Sequence, residues 1–140
     1  MNDAVQIPAE GHCQCGQNVV QLLGPAKWVA HCHCLNCQHA HGAVMVTWAG
    51  YTDGAYVIDE ANTEWYSSSP EAQRGRCKHC GSPMYFRSTR WPGELHIARV
   101  FLLDNSIPPP QAHVFCHSTP AWMTNQNDIP HFEQLPNKNA

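Results

Sequence analysis

Seven of the eight cysteines in the 140-residue sequence fall into three tight groups. These groups are a Cys-x-Cys pair, a Cys-x-Cys-x-x-Cys triplet and a Cys-x-x-Cys pair, formed respectively by Cys13 and Cys15, by Cys32, Cys34 and Cys37, and by Cys77 and Cys80. Alternate residues of a strand face the same side, so Cys-x-Cys can present two sulfurs to one ion. In Cys-x-x-Cys-Gly the chain turns back, and glycine tolerates the positive φ that such a turn often requires. The spacings therefore indicate metal binding through thiolates.

The two pairs are predicted to form one closed zinc site. Zinc binds four ligands in a tetrahedron, so the sulfurs of Cys13, Cys15, Cys77 and Cys80 would complete it. The long chain segment between the pairs makes this site a staple, which would stabilise a domain with a small apolar core. The alternative places Cys13 and Cys15 with the triplet and leaves Cys77 and Cys80 to find histidine ligands. Spacing favours the first arrangement.

The triplet of Cys32, Cys34 and Cys37 is left with three sulfurs for a second zinc. Catalytic zinc sites keep a fourth position for water or substrate, so these cysteines are the candidate catalytic group. The alternative is a closed site, because His41 lies one helical turn after Cys37 and could supply the fourth ligand. Further histidine candidates are His31, His33 and His39. Spacing alone leaves the open and the closed site as equal alternatives.

The donor set of the second site predicts what it would bind. Three thiolates donate so much charge that the zinc would be a weak Lewis acid, which disfavours activation of a hydroxide. Capture of a soft anionic ligand is favoured instead, and a substrate thiol is the natural one, because zinc lowers its pKa and holds it as thiolate. The sequence thus predicts two Zn²⁺ ions per chain and a small thiol as partner.

The other candidate residues are expected to be structural. Cys116 stands alone and is predicted to be buried as a small apolar side chain. Aromatic residues are expected to pack in the core and at its rim, with a wall beside the second zinc as the alternative, at Trp48, Trp65, Tyr66, Trp91 and Trp122. The arginines are expected to be solvated, although one or two near the triplet could hold a substrate carboxylate: Arg74, Arg76, Arg87, Arg90 and Arg99.

Short β-strands are the elements that must position these residues. Eleven prolines and nine glycines divide the chain into short pieces. Strand-like segments separated by turn signals lie at 17–23, 27–34, 43–49, 55–59, 63–67, 84–87, 94–103 and 112–116. One short helix is predicted over 35–41, ended by Gly42, and a further turn near 120–124. The pattern predicts a mostly-β fold.

Length and composition predict one domain with a thin core. Leu, Ile, Val and Phe together make up less than a fifth of the residues, and the formal net charge is −3. The expected boundaries are 1–133 for a single zinc domain and 134–140 for a flexible C-terminal tail. The acidic balance and scattered basic residues argue against a nucleic-acid partner.

Redox state and location are predicted from the same sequence. No apolar run reaches the length of a membrane helix, and the N-terminus lacks the basic and apolar regions of a secretory signal. A cytoplasmic protein that does not contact the membrane is therefore expected. Its cysteines should be mostly reduced, which favours metal thiolates over the alternative of disulfides.

The motifs occur in the order Gly-x-Cys-x-Cys-Gly, Cys-x-Cys-x-x-Cys followed by Ala-His-Gly-Ala, and Cys-x-x-Cys-Gly-Ser. This order resembles the glutathione-dependent formaldehyde-activating enzyme (GFA) family, from about Gly11 to Phe132. Further matches are Leu103-Asp104, His113-Val114-Phe115, Pro120-Ala121-Trp122 and Ile129-Pro130-His131-Phe132. Two positions depart from the family pattern: Arg76 stands where an aromatic residue is usual, and Phe101-Leu102 where two small residues are usual.

The resemblance implies a β-tent fold of small antiparallel sheets around a structural zinc, with one or two short helical turns. It implies that Cys13, Cys15, Cys77 and Cys80 hold that zinc and that Cys32, Cys34 and Cys37 hold the active one. The implied activity is that of a carbon–sulfur lyase or synthase, which adds glutathione to formaldehyde to give S-hydroxymethylglutathione. The alternative is a non-catalytic glutathione or thiol carrier, or a binding module that zinc only stabilises.

Overall fold

A computed structural model describes residues 9–123 and 126–136 of the chain. In these ranges the strands are β1 (Ala9–His12), β2 (Val19–Leu22), β3 (Trp28–Cys32), β4 (Val46–Thr52), β5 (Tyr56–Ile58), β6 (Thr63–Ser69), β7 (Ala72–Cys77), β8 (Pro83–Ser88), β9 (Glu94–Ala98) and β10 (Ala112–Val114). The α-helix is α1 (Leu35–His41), and short 3₁₀ turns occupy Glu60–Asn62, Arg99–Phe101, Cys116–Ser118, Ala121–Met123 and Gln126–Asp128. The predicted mostly-β fold of the β-tent class, with its short helix over 35–41, is confirmed.

Two expectations for the C-terminal part fall partly outside the described residues. The turn expected near 120–124 contains a 3₁₀ turn at Ala121–Met123, and Thr124 lies outside the described ranges. Of the expected tail over 134–140, residues 137–140 also lie outside them.

The strands form two sheets that share no strand. The smaller sheet has the order β1-β2-β5, and the larger has the order β10-β3-β4-β9-β8-β7-β6. Neighbouring strands are antiparallel except β10 and β3, which run parallel. The chain reaches β10 after the proline run at 108–110, and the backbone N–H of Gln111 donates to Val29 O at 2.8 Å. This parallel pairing makes the large sheet mixed at its edge, a detail that the expected small antiparallel sheets did not include.

The register of the large sheet places a row of side chains on one face. Trp28 is opposite Gly50, and Gly50 is opposite His96. The row continues from His96 to Phe86 and from Phe86 to Arg74. Because side chains alternate along a strand, this face also carries the residues two positions away on each strand. The sequence therefore gathers tryptophan, imidazole, phenyl and guanidinium groups on a single surface.

The cysteine groups belong to two different hydrophobic clusters. The larger cluster contains Cys13 and Cys77 together with buried residues such as Tyr85. The smaller cluster contains Cys32 and Cys37, packed with Val46, Trp48 and Ala98. The cysteine pairs and the cysteine triplet therefore lie in different parts of the core.

Gly50 leaves room for the indole of Trp28 on the neighbouring strand. A Cβ at position 50 would overlap the Trp28 ring. We expect Gly50→Ala to lower the free energy of unfolding by about 1–3 kcal/mol, because overpacking forces the indole out of place. Chemical denaturation would measure the change. Gly24→Ala is the milder comparison and should cost less, since its new Cβ would meet Ala55 Cβ at 3.2 Å, a contact that a shift of a few tenths of an ångström relieves. Equal stability of the Gly50 variant and the native protein would contradict this packing.

Candidate functional site

The structure brings the four cysteines of the two pairs together. Their sulfurs all lie within 4.8 Å of one another, with 3.5 Å between Cys13 Sγ and Cys15 Sγ and 3.8 Å between Cys15 Sγ and Cys77 Sγ. Sulfurs bound tetrahedrally to one zinc ion would be about 3.8 Å apart. Cys80 completes this group, which can hold a metal ion. We call Cys13, Cys15, Cys77 and Cys80 the quartet.

Two glycine turns shape the quartet. Gly16 N–H donates to Cys13 O at 3.1 Å, and Gly81 N–H donates to Cys77 O at 2.9 Å. Both glycines have positive φ, 83° and 79°, the left-handed region that the spacing argument required. Each turn brings its two sulfurs back to the same side.

Ser82 contacts the quartet, although it was not among the predicted site residues. Its hydroxyl lies 3.1 Å from Cys80 Sγ and accepts from Gln14 N–H at 3.1 Å, so it joins the two turns. The hydrogen bond from Ser82 lowers the pKa of Cys80 to about 5 and favours the thiolate that a metal ion needs. The serine directly after Cys-x-x-Cys-Gly is the sequence signal for this role.

The three cysteines of the second group also converge, with their sulfurs within 4.8 Å of one another. We call Cys32, Cys34 and Cys37 the triplet. Cys32 ends β3, Cys34 is the N-cap of α1, and Cys37 lies in the first turn of the helix. Cys34 Sγ accepts the backbone N–H of Cys37 at 3.3 Å. The strand end and the helix start therefore position all three sulfurs without any distant segment.

Cys37 is the most strongly supported thiolate of the triplet. Trp48 Nε1–H donates to its sulfur at 3.4 Å, and Arg74 Nη2 lies 3.9 Å from it. The hydrogen bond with Cys32, together with Trp48, Cys34 and the charge of Arg74, lowers the pKa of Cys37 to about 5 although burial opposes the shift. The protein thus stabilises negative charge at this sulfur.

No histidine, aspartate or glutamate of the described ranges joins the triplet. His41 packs edge-on against Trp48 with ring centroids 5.2 Å apart, and burial with the charge of Arg74 lowers its pKa to about 4. His31 is hydrogen-bonded to Thr47, His33 is hydrogen-bonded to His113, and His39 is exposed. In the described ranges the triplet therefore brings together three sulfurs and no fourth side-chain ligand.

A cavity of about 560 Å³ opens beside the triplet. All three triplet cysteines line it, and none of the quartet does. Its size is that of small-molecule sites, which typically measure about 300–1,000 Å³. Trp48 and Trp91 line this cavity, so these two residues form the aromatic wall that the sequence offered as an alternative to packing in the core. Trp28 and Phe86, which the sequence did not single out, complete it.

The remaining aromatic candidates lie away from this cavity. Trp65 is partly buried against the larger hydrophobic cluster and stacks on Tyr85. Tyr66 is exposed, and Trp122 is 68 % exposed on its 3₁₀ turn.

The prediction that Arg74 is solvated is wrong. Its side chain lies on the cavity face of β7 and is only 6 % exposed, with the guanidinium carbon 4.8 Å from the centre of the Phe86 ring. Its Nη1 is buried and has no hydrogen-bond partner within the described ranges. The nearby anionic group is the Cys37 sulfur, which explains why the sheet tolerates a buried cation.

The other arginines have separate environments. Arg90 is exposed at the edge of the cavity, and Arg76 pairs with Glu64 at 3.2 Å in a well-exposed bridge. Arg87 lies over the Trp65 ring, and Arg99 donates to two backbone carbonyls.

The prediction that Cys116 is buried is also wrong. Cys116 is exposed, because it follows β10, an edge strand whose residues are themselves exposed. It lies outside both metal-binding groups.

None of the helices described is long and apolar enough to cross a membrane.

The profile of the glutathione-dependent formaldehyde-activating enzyme family matches residues 8–118. A Halomonas elongata protein provisionally named a glutathione-dependent formaldehyde-activating enzyme is 24% identical over 123 residues, covering 81% of this chain and 78% of its own length. A crystal structure of a Rhodobacter sphaeroides protein shares the fold, with a TM-score of 0.57 and 18% identity, over 74% of this chain and 98% of that one. By its motifs, its paired cysteine groups and this match, the chain belongs to the glutathione-dependent formaldehyde-activating enzyme family.

Proposed function

We propose that the protein is a zinc-dependent enzyme of carbon–sulfur bond chemistry, a lyase or synthase that joins a thiol, glutathione or a similar one, to a small aldehyde. One observation carries the proposal. The triplet opens onto a large cavity and has no fourth protein ligand in the described part of the chain, whereas the quartet is complete and lies away from that cavity.

The donor sets fit zinc at both places. Thiolates are soft ligands that suit zinc, and four of them make the closed tetrahedron of a structural site. We assign the structural zinc to the quartet and the catalytic zinc to the triplet. When bound at the triplet, zinc would lower the pKa of a substrate thiol and hold its sulfur as thiolate.

The residues of the cavity supply the rest of the chemistry. Arg74 and the Trp48 N–H, both directed at Cys37 Sγ, offset the negative charge that accumulates as a thiolate approaches the triplet. The cavity walls hold the aldehyde carbon near the substrate sulfur, which gives a proximity effect. The sulfur attacks the carbonyl carbon, a C–S bond forms, and the π electrons move to the oxygen. That oxygen then takes up one proton, which balances the proton that the thiol lost.

The remaining expectations follow from this assignment. A thiolate enzyme needs a reducing compartment, so the cytoplasm is the expected location. The partner is a small thiol, and the formal charge of −3 disfavours nucleic acid. The zinc-binding domain would extend over 1–133.

The test is the rate at which S-hydroxymethylglutathione forms from glutathione and formaldehyde, measured by exchange NMR with zinc-loaded protein. An enzyme raises the exchange rate above that of buffer. A thiol carrier binds glutathione in a titration without raising the rate, and a zinc-stabilised module does neither. Either of these last results contradicts the proposed activity.

Arg74 gives a more local prediction. We expect Arg74→Met to weaken glutathione binding about tenfold or more, because the variant keeps the apolar stem and loses the buried charge beside Cys37. Isothermal titration would measure the affinity. Arg76→Met is the matched control, since Arg76 is exposed and bridges only to Glu64. Equal affinities in the two variants would contradict the role of Arg74.

A further inference from the structure

Four rings that line the cavity pack against one another. Trp28 meets His96 edge-on at 4.6 Å between ring centroids, and Phe86 and Trp91 lie 5.6 Å and 5.4 Å from the same imidazole. Phe86 and Trp91 are 6.1 Å apart. We call Trp28, Phe86, Trp91 and His96 the aromatic pocket.

The imidazole in the aromatic pocket is buried and already has a partner. His96 is 5 % exposed, and its Nε2–H donates to Glu94 at 2.9 Å. Glu94 also accepts from Lys27 at 2.7 Å, so its charge is compensated outside the cavity. Burial lowers the pKa of His96 and favours the neutral ring. The aromatic pocket is therefore a surface of uncharged rings.

A polar margin of the cavity adjoins the aromatic pocket. Arg90, Glu71, Ser68 and Ser69 are exposed there, and neither Arg90 nor Glu71 forms a salt bridge within the described residues. The Arg90 guanidinium lies 4.9 Å from the Trp91 ring centre, at the border of the aromatic pocket. A thiol that carries carboxylate and ammonium groups fits this margin by charge.

We propose that the aldehyde used by this protein carries an aromatic ring, which the aromatic pocket binds while the charged groups of the thiol lie at the polar margin. The inference rests on the proposed function and narrows its aldehyde. A one-carbon aldehyde would leave the rings uncovered, whereas an aryl aldehyde buries its ring against theirs in edge-to-face or offset contact. Hydrophobic contact of this kind discriminates substrates by size.

The reaction itself needs no further reactant. The thiol S–H adds across the C=O bond of the aryl aldehyde, so that the sulfur bonds to the carbonyl carbon. The proton lost by sulfur is balanced by the one gained at oxygen, and nothing is oxidised or reduced. The product is a thioether with a hydroxyl and an aryl group on the same carbon.

Stable analogues of the two possible adducts test the inference. S-benzylglutathione represents the aryl adduct and S-methylglutathione the one-carbon adduct, and both are titrated calorimetrically into zinc-loaded protein. We expect the benzyl compound to bind about tenfold more tightly or better, from the burial of one ring. Equal affinities would overturn the inference.

Substitutions in the aromatic pocket test whether its rings cause the preference for the benzyl compound over the methyl compound. Trp91→Ala and the milder Phe86→Leu should bring the affinity ratio close to unity, and the half-buried Trp91 can be removed with little effect on the core. Trp122→Ala is the control, an exposed tryptophan outside the cavity, and should keep the full ratio. A preference that survives in both pocket variants would overturn the inference.

Two further titrations separate the possible failures. Glutathione alone reports on the proposed function: if it does not bind, that function is contradicted, whereas bound glutathione with no benzyl preference contradicts only the aryl aldehyde. Phenylmethanethiol tests whether the ring belongs to the thiol instead. If phenylmethanethiol displaces glutathione and binds more tightly than glutathione does, the inference is wrong.

Discussion

Cys80→Ser should leave the chain largely unfolded. Cys13 and Cys15 follow β1 of the small sheet, whereas Cys77 ends β7 of the large sheet and Cys80 lies in the turn after it. The quartet therefore joins two sheets that share no strand. A structural zinc contributes on the order of 10 kcal/mol of folding free energy in small domains, comparable to the whole net stability of about 5–15 kcal/mol. Loss of one sulfur should remove most of it.

Circular dichroism and zinc content on the same preparation would measure this effect. Cys116→Ser is the matched control, because Cys116 is exposed and lies outside both sulfur groups. The control should keep the native spectrum and two zinc ions per chain. A Cys80→Ser protein that melts like the control would show that the quartet is not a structural staple.

Cys37→Ser should have the opposite outcome, a folded protein that no longer binds thiol. The triplet sulfurs come from the end of β3 and the start of α1, so they close no long loop. A serine hydroxyl at position 37 can still accept from Trp48 Nε1–H, but the buried Arg74 loses its anion, so we expect a folded protein of lower stability. We expect glutathione affinity to fall about a hundredfold or more and the second zinc to be lost, since a two-sulfur site holds zinc weakly.

The same circular dichroism, zinc analysis and glutathione titration apply to this variant. If Cys37→Ser unfolds as completely as Cys80→Ser, the triplet is also structural. If it binds glutathione like the native protein, the assignment of the thiol to the triplet is wrong.

The sequence contained enough information for the cysteine groups and the helix. Cys-x-Cys and Cys-x-x-Cys-Gly constrain the backbone so tightly that local geometry follows from the spacing alone. The helix over 35–41 is bounded by the Cys34 N-cap and by Gly42, whose φ of 60° ends it. These features depend on neighbours in sequence, which is why they were predictable.

The sequence did not reveal β7 or the buried arginine on it. Gln73, Arg74 and Arg76 make this strand look polar, so the segment was not among the predicted strands. β7 lies between β6 and β8, and only that position in the sheet places Arg74 beside Cys37. A buried guanidinium is stable there because a sulfur anion is close, and the anion comes from a distant part of the chain.

The aromatic pocket depended on register in the same way. Trp28, His96 and Phe86 are far apart in sequence and meet because β3, β4, β9 and β8 are neighbours with a particular alignment. Nothing in the separate segments fixes that alignment. The position of β10 at the edge of the sheet, after which Cys116 is exposed, is likewise a property of the assembled sheet.

Zinc-edge X-ray absorption tests the central claim most directly, because it counts the sulfurs around the metal. For a protein with two zinc ions per chain, a four-sulfur and a three-sulfur site average about 3.5 sulfurs per zinc. Glutathione should raise the average to about four as its sulfur joins the triplet, and in Cys37→Ser the added thiol should change nothing. An average of four before any thiol is added, or one that does not change with glutathione, would contradict the claim that the triplet is the open site.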